Sequence, residues 1–199
     1  MMHEKPTGDQ MMQETSTPDA MMSQATPTPD AMMQETPTGA AMSGDSMAET
    51  PAWLSSQLTS VRDSKNFALS DYKGKVVLVE MMAVWCTTCK AQQAQIKLLQ
   101  EKLGMPDNLV VVSLDIDPNE DADLLKNYVD ENHLGWTFAV APKETSREIS
   151  QLFGDQFLNP PSAPILIIDA HEHVYTLPFG LKSADDMQKP VEQYLSHIM

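Results

Sequence analysis

From Trp53 onward the chain alternates between short apolar runs and amphipathic stretches. LSSQLTSV and NFALS flank Arg62-Asp63-Ser64-Lys65 and predict a short hairpin. Lys75 to Met82, KVVLVEMM, is nearly continuously apolar, the pattern of a central strand buried on both faces. Between Thr87 and Leu103, apolar residues Ile96, Leu99 and Leu103 recur at helical spacing; Gly104 ends this helix and Pro106 follows. Leu109 to Leu114 reads as a second buried strand, and Pro118-Asn119 as the start of a helix running to about Asn132. Trp136 to Val140 predicts a short strand and Glu144 to Phe153 a short helix. Pro164 to Ile168 is a further strand, His173 to Leu177 its hairpin partner, and Ala184 to Ile198 a closing helix. This order describes an α/β fold, a central sheet with helices on both faces.

Composition divides the chain. Residues 1–51 hold ten of the fifteen Met and six of the fourteen Pro, and no Leu, Ile, Val or aromatic residue. Such a segment cannot bury enough apolar surface to offset its ordering entropy, so a disordered tail is expected. Met pairs recur at Met1-Met2, Met11-Met12, Met21-Met22 and Met32-Met33, the last two inside the related strings PDAMMSQATPT and PDAMMQETPT. The repeat is too sparsely apolar for a solenoid and reads as an extended, flexible linker. Residues 52–199 are the expected folded domain, long enough for one core.

The formal net charge is -15, to which the tail contributes eight carboxylates and one Lys. An acidic surface repels phosphates, so neither nucleic acid nor anionic lipid is an expected partner. No run of about 20 apolar residues is present. The opening residues MMHEKPTGDQ lack the apolar stretch of a signal peptide. The chain therefore reads either as cytosolic or as a trimmed form of an exported protein.

Only two cysteines occur, in Cys86-Thr87-Thr88-Cys89, between a buried strand and a helix. The carboxyl end of a central strand is where α/β folds place active sites. At a helix start the first cysteine is expected to cap the helix, stand exposed, and gain thiolate character from the free N–H groups. Cys86 is then the attacking thiolate and Cys89 the resolving thiol. Two other readings compete. A zinc site needs four ligands; there is no second Cys pair, and His171 and His173 are the candidates to complete one. A purely structural bridge across so short a loop removes little entropy.

The stretch FALSDYKGKVVLVEMMAVWCTTCKAQ resembles the thioredoxin superfamily, and within it the exported, often membrane-tethered TlpA/ResA-like thiol–disulfide oxidoreductases. The resemblance spans about residues 57–198 and implies a thioredoxin fold with a mixed sheet. It implies exchange with protein disulfides or thiols, an upstream electron donor, an extracytoplasmic location, a membrane tether upstream, a monomer, and no cofactor beyond the Cys pair. Ser162-Ala163-Pro164 before PILIID matches the family's cis-proline site, so a cis Pro164 is expected, holding the Ala163 backbone ready for a partner peptide. Glu80, six residues before Cys86, stands at the family's acidic position. Burial there raises a carboxyl's pKa and suits it to relay a proton to or from Cys89. Trp85 shields the pair or contacts partners, and Thr87 and Thr88 form the variable dipeptide between the cysteines. Three departures stand out: Thr87-Thr88 replaces the common Pro-containing dipeptides, Met81-Met82 stands where aromatics are frequent, and Gln92 stands where many relatives carry an acid.

The tail admits a spacer reading and a metal reading. Thioethers suit Cu(I), and four Met pairs with His3 provide many of them. Sco-type copper chaperones use a thioredoxin fold, but with CxxxC and a His before the late strand. This chain has CxxC, and Asn159-Pro160-Pro161-Ser162 contains no His. The alternative function is thus a copper chaperone or metal-site assembly factor.

Overall fold

The computed structural model describes residues 51–196. The Met-rich tail up to residue 50, with its expected disorder and any copper site there, lies outside the described residues, as do positions 197–199.

The hairpin expected around Arg62 forms from β1 (Leu58–Thr59) and β2 (Asn66–Phe67), with Leu58 opposite Phe67. A single 3-10 turn, Leu69–Tyr72, leads into β3 (Val76–Met82). The main sheet runs in the order β5-β4-β3-β6-β7. Strands β4 (Leu109–Asp115) and β5 (Thr137–Val140) lie parallel to their neighbours on one side of β3. On the other side β6 (Ile165–Ile168) pairs antiparallel with β3, and β7 (Val174–Thr176) antiparallel with β6.

Every residue of β3 is buried, and the pleat sorts them. Val76, Leu78 and Met82 face one core with Ile96, Leu99, Leu125, Val129, Met187 and Val191. These come from α2 (Thr87–Lys102), α3 (Ala122–Glu131) and α5 (Ala184–Ser196). Val77, Val79 and Met81 face the opposite core with Trp53, Leu54, Ile149 and Phe157. That layer holds α1 (Ala52–Ser55) and α4 (Lys143–Phe153). Burial on both faces explains the nearly continuous apolar run. The two-residue side-chain period also places Glu80, the one acid of β3, on the face of α2.

Helix α2 starts at Cys86, whose Sγ accepts the Cys89 N–H at 3.0 Å. Its end closes as the sequence predicts. Gly104 has φ +70°, its N–H donates to Glu101 O, and Met105 N–H reaches back to Gln100 O at 2.9 Å. These paired bonds are a Schellman closure, which needs a left-handed residue at the glycine.

Helix α3 begins later than the sequence indicates. Asp121 caps it, accepting the Leu124 N–H at 2.8 Å. Residues 117–120 are diverted instead: Asp117 Oδ1 accepts the Asn119 N–H, and the Glu120 carboxylate turns toward the loop before α2.

Candidate active site

Cys86 and Cys89 are joined by a disulfide, with Cα atoms 5.2 Å apart, at the mouth of the strand-to-helix turn. The helix cap is as expected, but the expected exposure is not found. Cys86 is only 2% accessible and Cys89 fully buried. The turn Pro160–Ser162 packs against α2, and Pro160 O lies 3.4 Å from Cys89 Sγ. Around the buried pair, Trp85 (57% accessible) and Thr87 remain exposed, while Thr88 is half-buried.

Two acids hold the turn that delivers Cys86. Glu120 Oε2 accepts the Val84 N–H at 2.7 Å, and Asp117 Oδ2 accepts the Trp85 indole N–H at 2.7 Å. The indole donor and the Asn119 backbone hold Asp117 below the ordinary carboxylate range. Asp115, level with Met82 in the parallel register, is buried; burial first, then the neighbouring Glu120 carboxyl, pushes it up to about 8. Sequence reading missed these three acids. A signal existed: adjacent parallel strands end side by side, so the loop after β4 must meet the loop after β3.

Glu80 lies on the α2 face of β3, 1% accessible. Its Oε2 accepts from Ser113 Oγ at 2.6 Å and from Gln93 Nε2 at 3.3 Å, while Oε1 has no hydrogen-bond partner among the described residues. Trp136 Nε1 donates to Ser113 Oγ and Tyr128 OH to Gln93 Oε1. Burial raises the carboxyl to about 7, against the opposing pull of Ser113, Gln93 and the charge of Lys182. The raised pKa expected from the sequence is therefore present. Its contact with the Cys helix runs through Gln93, one turn beyond Cys89.

The proline expectation needs correction. The Ala163–Pro164 peptide is trans, as are all those described. The chain turns into β6 by another route. Pro160–Ser162 forms a tight helical turn, the Ala163 N–H closes it on Pro160 O at 2.8 Å, and Ala163 takes the left-handed conformation (φ 46°, ψ 57°). This is how a helical turn ends, and no isomerised peptide is needed. Pro164 is buried, and its carbonyl accepts the Met81 N–H at 3.1 Å. Ala163 is not free for a partner peptide in this state, because its carbonyl also accepts from Lys182 Nζ at 2.7 Å.

Gln92, unusual by family resemblance, is fully buried. Its Oε1 accepts the Lys182 N–H at 2.8 Å and its Nε2 donates to the Lys182 carbonyl at 3.1 Å. An ionised carboxylate makes the first bond but not the second.

His171 and His173 sit in the β6–β7 turn. Their backbone N–H groups and the His173 ring bond the Asp169 carboxylate. Among the described residues no group of three or more His, Cys, Asp or Glu is arranged to hold a metal, and none of their helices is long and apolar enough to cross a membrane.

Similarity to known proteins agrees with this geometry. The Redoxin family model matches residues 42–177. A thioredoxin-family thiol:disulfide interchange protein from Chlorobium tepidum superposes with TM-score 0.58 at 22% identity, covering 70% of this chain and 92% of its own. A secreted Mycobacterium tuberculosis disulfide oxidoreductase, homologous to E. coli DsbE, gives TM-score 0.52 at 14% identity, over 71% and 98%. BsSco, of the Sco family of cytochrome c oxidase assembly proteins, gives 0.56 at 20%, over 70% and 90%. Sheet order, helix cap and Cys pair converge with these matches on one assignment. The chain belongs to the Redoxin family and is a thiol–disulfide oxidoreductase of thioredoxin fold.

Proposed function

We propose that this chain works outside the cytoplasm as a reductant of protein disulfides, itself re-reduced by an upstream electron donor. The observation that carries the reading is a bridged Cys pair at the N-terminus of a helix whose Gln93 bonds a buried carboxyl, Glu80, that holds its proton to about neutral pH.

In the reduced state the N-terminus of α2 favours the Cys86 thiolate. That thiolate attacks one sulfur of a partner disulfide. A Cys86–partner bond forms, the partner's own S–S bond breaks, and its second sulfur leaves and takes up a proton. Cys89 then gives up its proton, attacks Cys86 Sγ, and expels the partner's first sulfur, which is protonated in turn. Two electrons have passed to the partner, and the chain is left with the Cys86–Cys89 disulfide. Glu80 takes the Cys89 proton during resolution; its raised pKa matches that task near neutrality. The exposed Trp85 and Thr87 offer the partner its first contacts. The extracytoplasmic placement is supported by the secreted Mycobacterium tuberculosis relative and by the character of the tail.

The reduction potential of the Cys86–Cys89 pair tests the direction. Thiol trapping across a dithiothreitol or glutathione series is expected to give a value near or below about -270 mV. A value near about -120 mV marks a disulfide donor and overturns the reductant reading.

The four Met pairs favour a second reading, capture of Cu(I) by thioethers. The reading predicts that the full chain retains Cu(I) against a chelator and that a chain lacking residues 1–50 loses most of it. Equal retention by both sinks it.

A further inference from the structure

Lys182 is 6% accessible, in the loop between β7 and α5. A lysine is seldom this buried unless its ammonium is fully paired. Here the pairing is complete. Nζ donates to Ala163 O at 2.7 Å, Gly180 O at 2.6 Å and Pro178 O at 3.0 Å. Three protons meet three carbonyls, which an ammonium satisfies and a neutral amine does not. Burial lowers the Lys182 pKa to about 8 against the opposing charge of Glu80, so the ammonium is the main form at pH 7.

These bonds tie three parts of the fold together. The Lys182 backbone is fixed to α2 by both ends of the Gln92 amide. Its ammonium fixes the loop 178–180 and, through Ala163, the turn that lies on the disulfide. Gly180 N–H adds a bond to Ser162 O at 2.8 Å, and the Phe179 ring packs edge-on against Phe157 at 5.1 Å. The result is a cover held from one side. Pro160 O lies 3.4 Å from Cys89 Sγ, Cys86 is 2% accessible, and both backbone groups of Ala163 are already bonded, so the turn closes one side of the pair.

We propose that Lys182 is a positioning residue that latches the 160–164 turn over the Cys86–Cys89 disulfide, so that its release gates access to the sulfurs. The bond from the ammonium to Ala163 O is charge-assisted. Loss of a hydrogen bond of that kind corresponds to about a tenfold or greater change in the population of the open turn. The same latch slows exchange in both directions and does not set its equilibrium.

The test uses the full chain, oxidised, with excess dithiothreitol as the probe. Dithiothreitol breaks the Cys86–Cys89 bond, is itself oxidised to its cyclic disulfide, and leaves two protein thiols. Lys182→Met keeps the aliphatic stem and removes all three donors. Its disulfide is expected to be reduced about tenfold faster or more, with the reduction potential unchanged. Low urea separates the latch from a merely structural lysine. Local opening leaves the rate insensitive to urea, whereas reduction through global unfolding climbs with it. A Lys182→Met rate equal to or below wild type, or a faster rate that rises steeply with urea, overturns the proposal. Should Lys182→Met fail to fold, Gln92→Leu decides in its place. It frees the Lys182 backbone from α2, and the same outcomes apply to it.

Discussion

At the residue scale, Glu80 shows how a side chain's neighbours define its chemistry. A strand carboxylate in water ionises near 4.5, but burial beneath α2 lifts this one to about 7. Between those values the folded chain keeps a proton that the unfolded chain has released. Stability therefore falls as pH rises through that window, by on the order of 3 kcal/mol in full; it is free of the cost below about 4.5 and bears all of it above about 7. Asp115, raised from 3.8 to about 8 by burial first and then by Glu120, adds a decline of its own across the same window and on to about pH 8. Denaturant titrations from pH 4.5 to 8 are expected to show this slope, and Glu80→Gln to make it about half as steep below about pH 7, where Asp115 alone then remains. A wild-type profile already flat over that range contradicts a buried, proton-holding Glu80. The same variant tests its chemical role. Resolution of a trapped mixed disulfide is expected to slow by about tenfold or more. Alkylation of Cys86 in the reduced protein should proceed at the wild-type rate. An unchanged resolution rate leaves Glu80 a structural acid.

At the element scale, α2 carries the site, and both its ends follow from local sequence. Cys86 caps the start with its own sulfur, so one atom serves the helix and the chemistry. Gly104 closes the other end at φ +70°, with nothing within 4 Å of where a Cβ would stand. An alanine there meets no neighbour and bears only the backbone cost. Gly104→Ala is expected to destabilise the fold by about 1 kcal/mol with no change in exchange rate. A chemical denaturation midpoint equal to wild type argues against the closure. The start of α3 was legible only in part. Pro118-Asn119 signals a turn before a helix, but the cap moves to Asp121 because Asp117 and Glu120 are drawn to Trp85 and Val84 on a neighbouring loop.

At the scale of the whole molecule, the chain joins a Redoxin-family domain to a Met-rich segment with no Leu, Ile, Val or aromatic residue. Among the described residues, every group hydrogen-bonded to the Cys pair or to Glu80 lies between residues 80 and 160. Removing residues 1–50 is expected to leave turnover of a model disulfide within about twofold of the full chain. A large loss of activity sinks the spacer reading and ties the tail to the reaction.

The elements were legible because their signals are local. An apolar run of strand length, apolar residues at helical spacing, a glycine at a helix end, and two cysteines at a strand-to-helix junction each report on neighbours a few positions apart. Sequence by itself thus determined the order of strands and helices and the Cys pair at the strand-to-helix junction. Tertiary structure decided what those groups experience. The Glu80 carboxyl meets Gln93 and Ser113, 13 and 33 positions away, and the Gln92 amide meets Lys182 at a separation of 90. It also decided that Pro164 follows a trans peptide and that Cys86 lies covered. The Pro160–Ser162 turn packs on α2 from about 70 positions away, and a spacing rule carries no information about which loops meet.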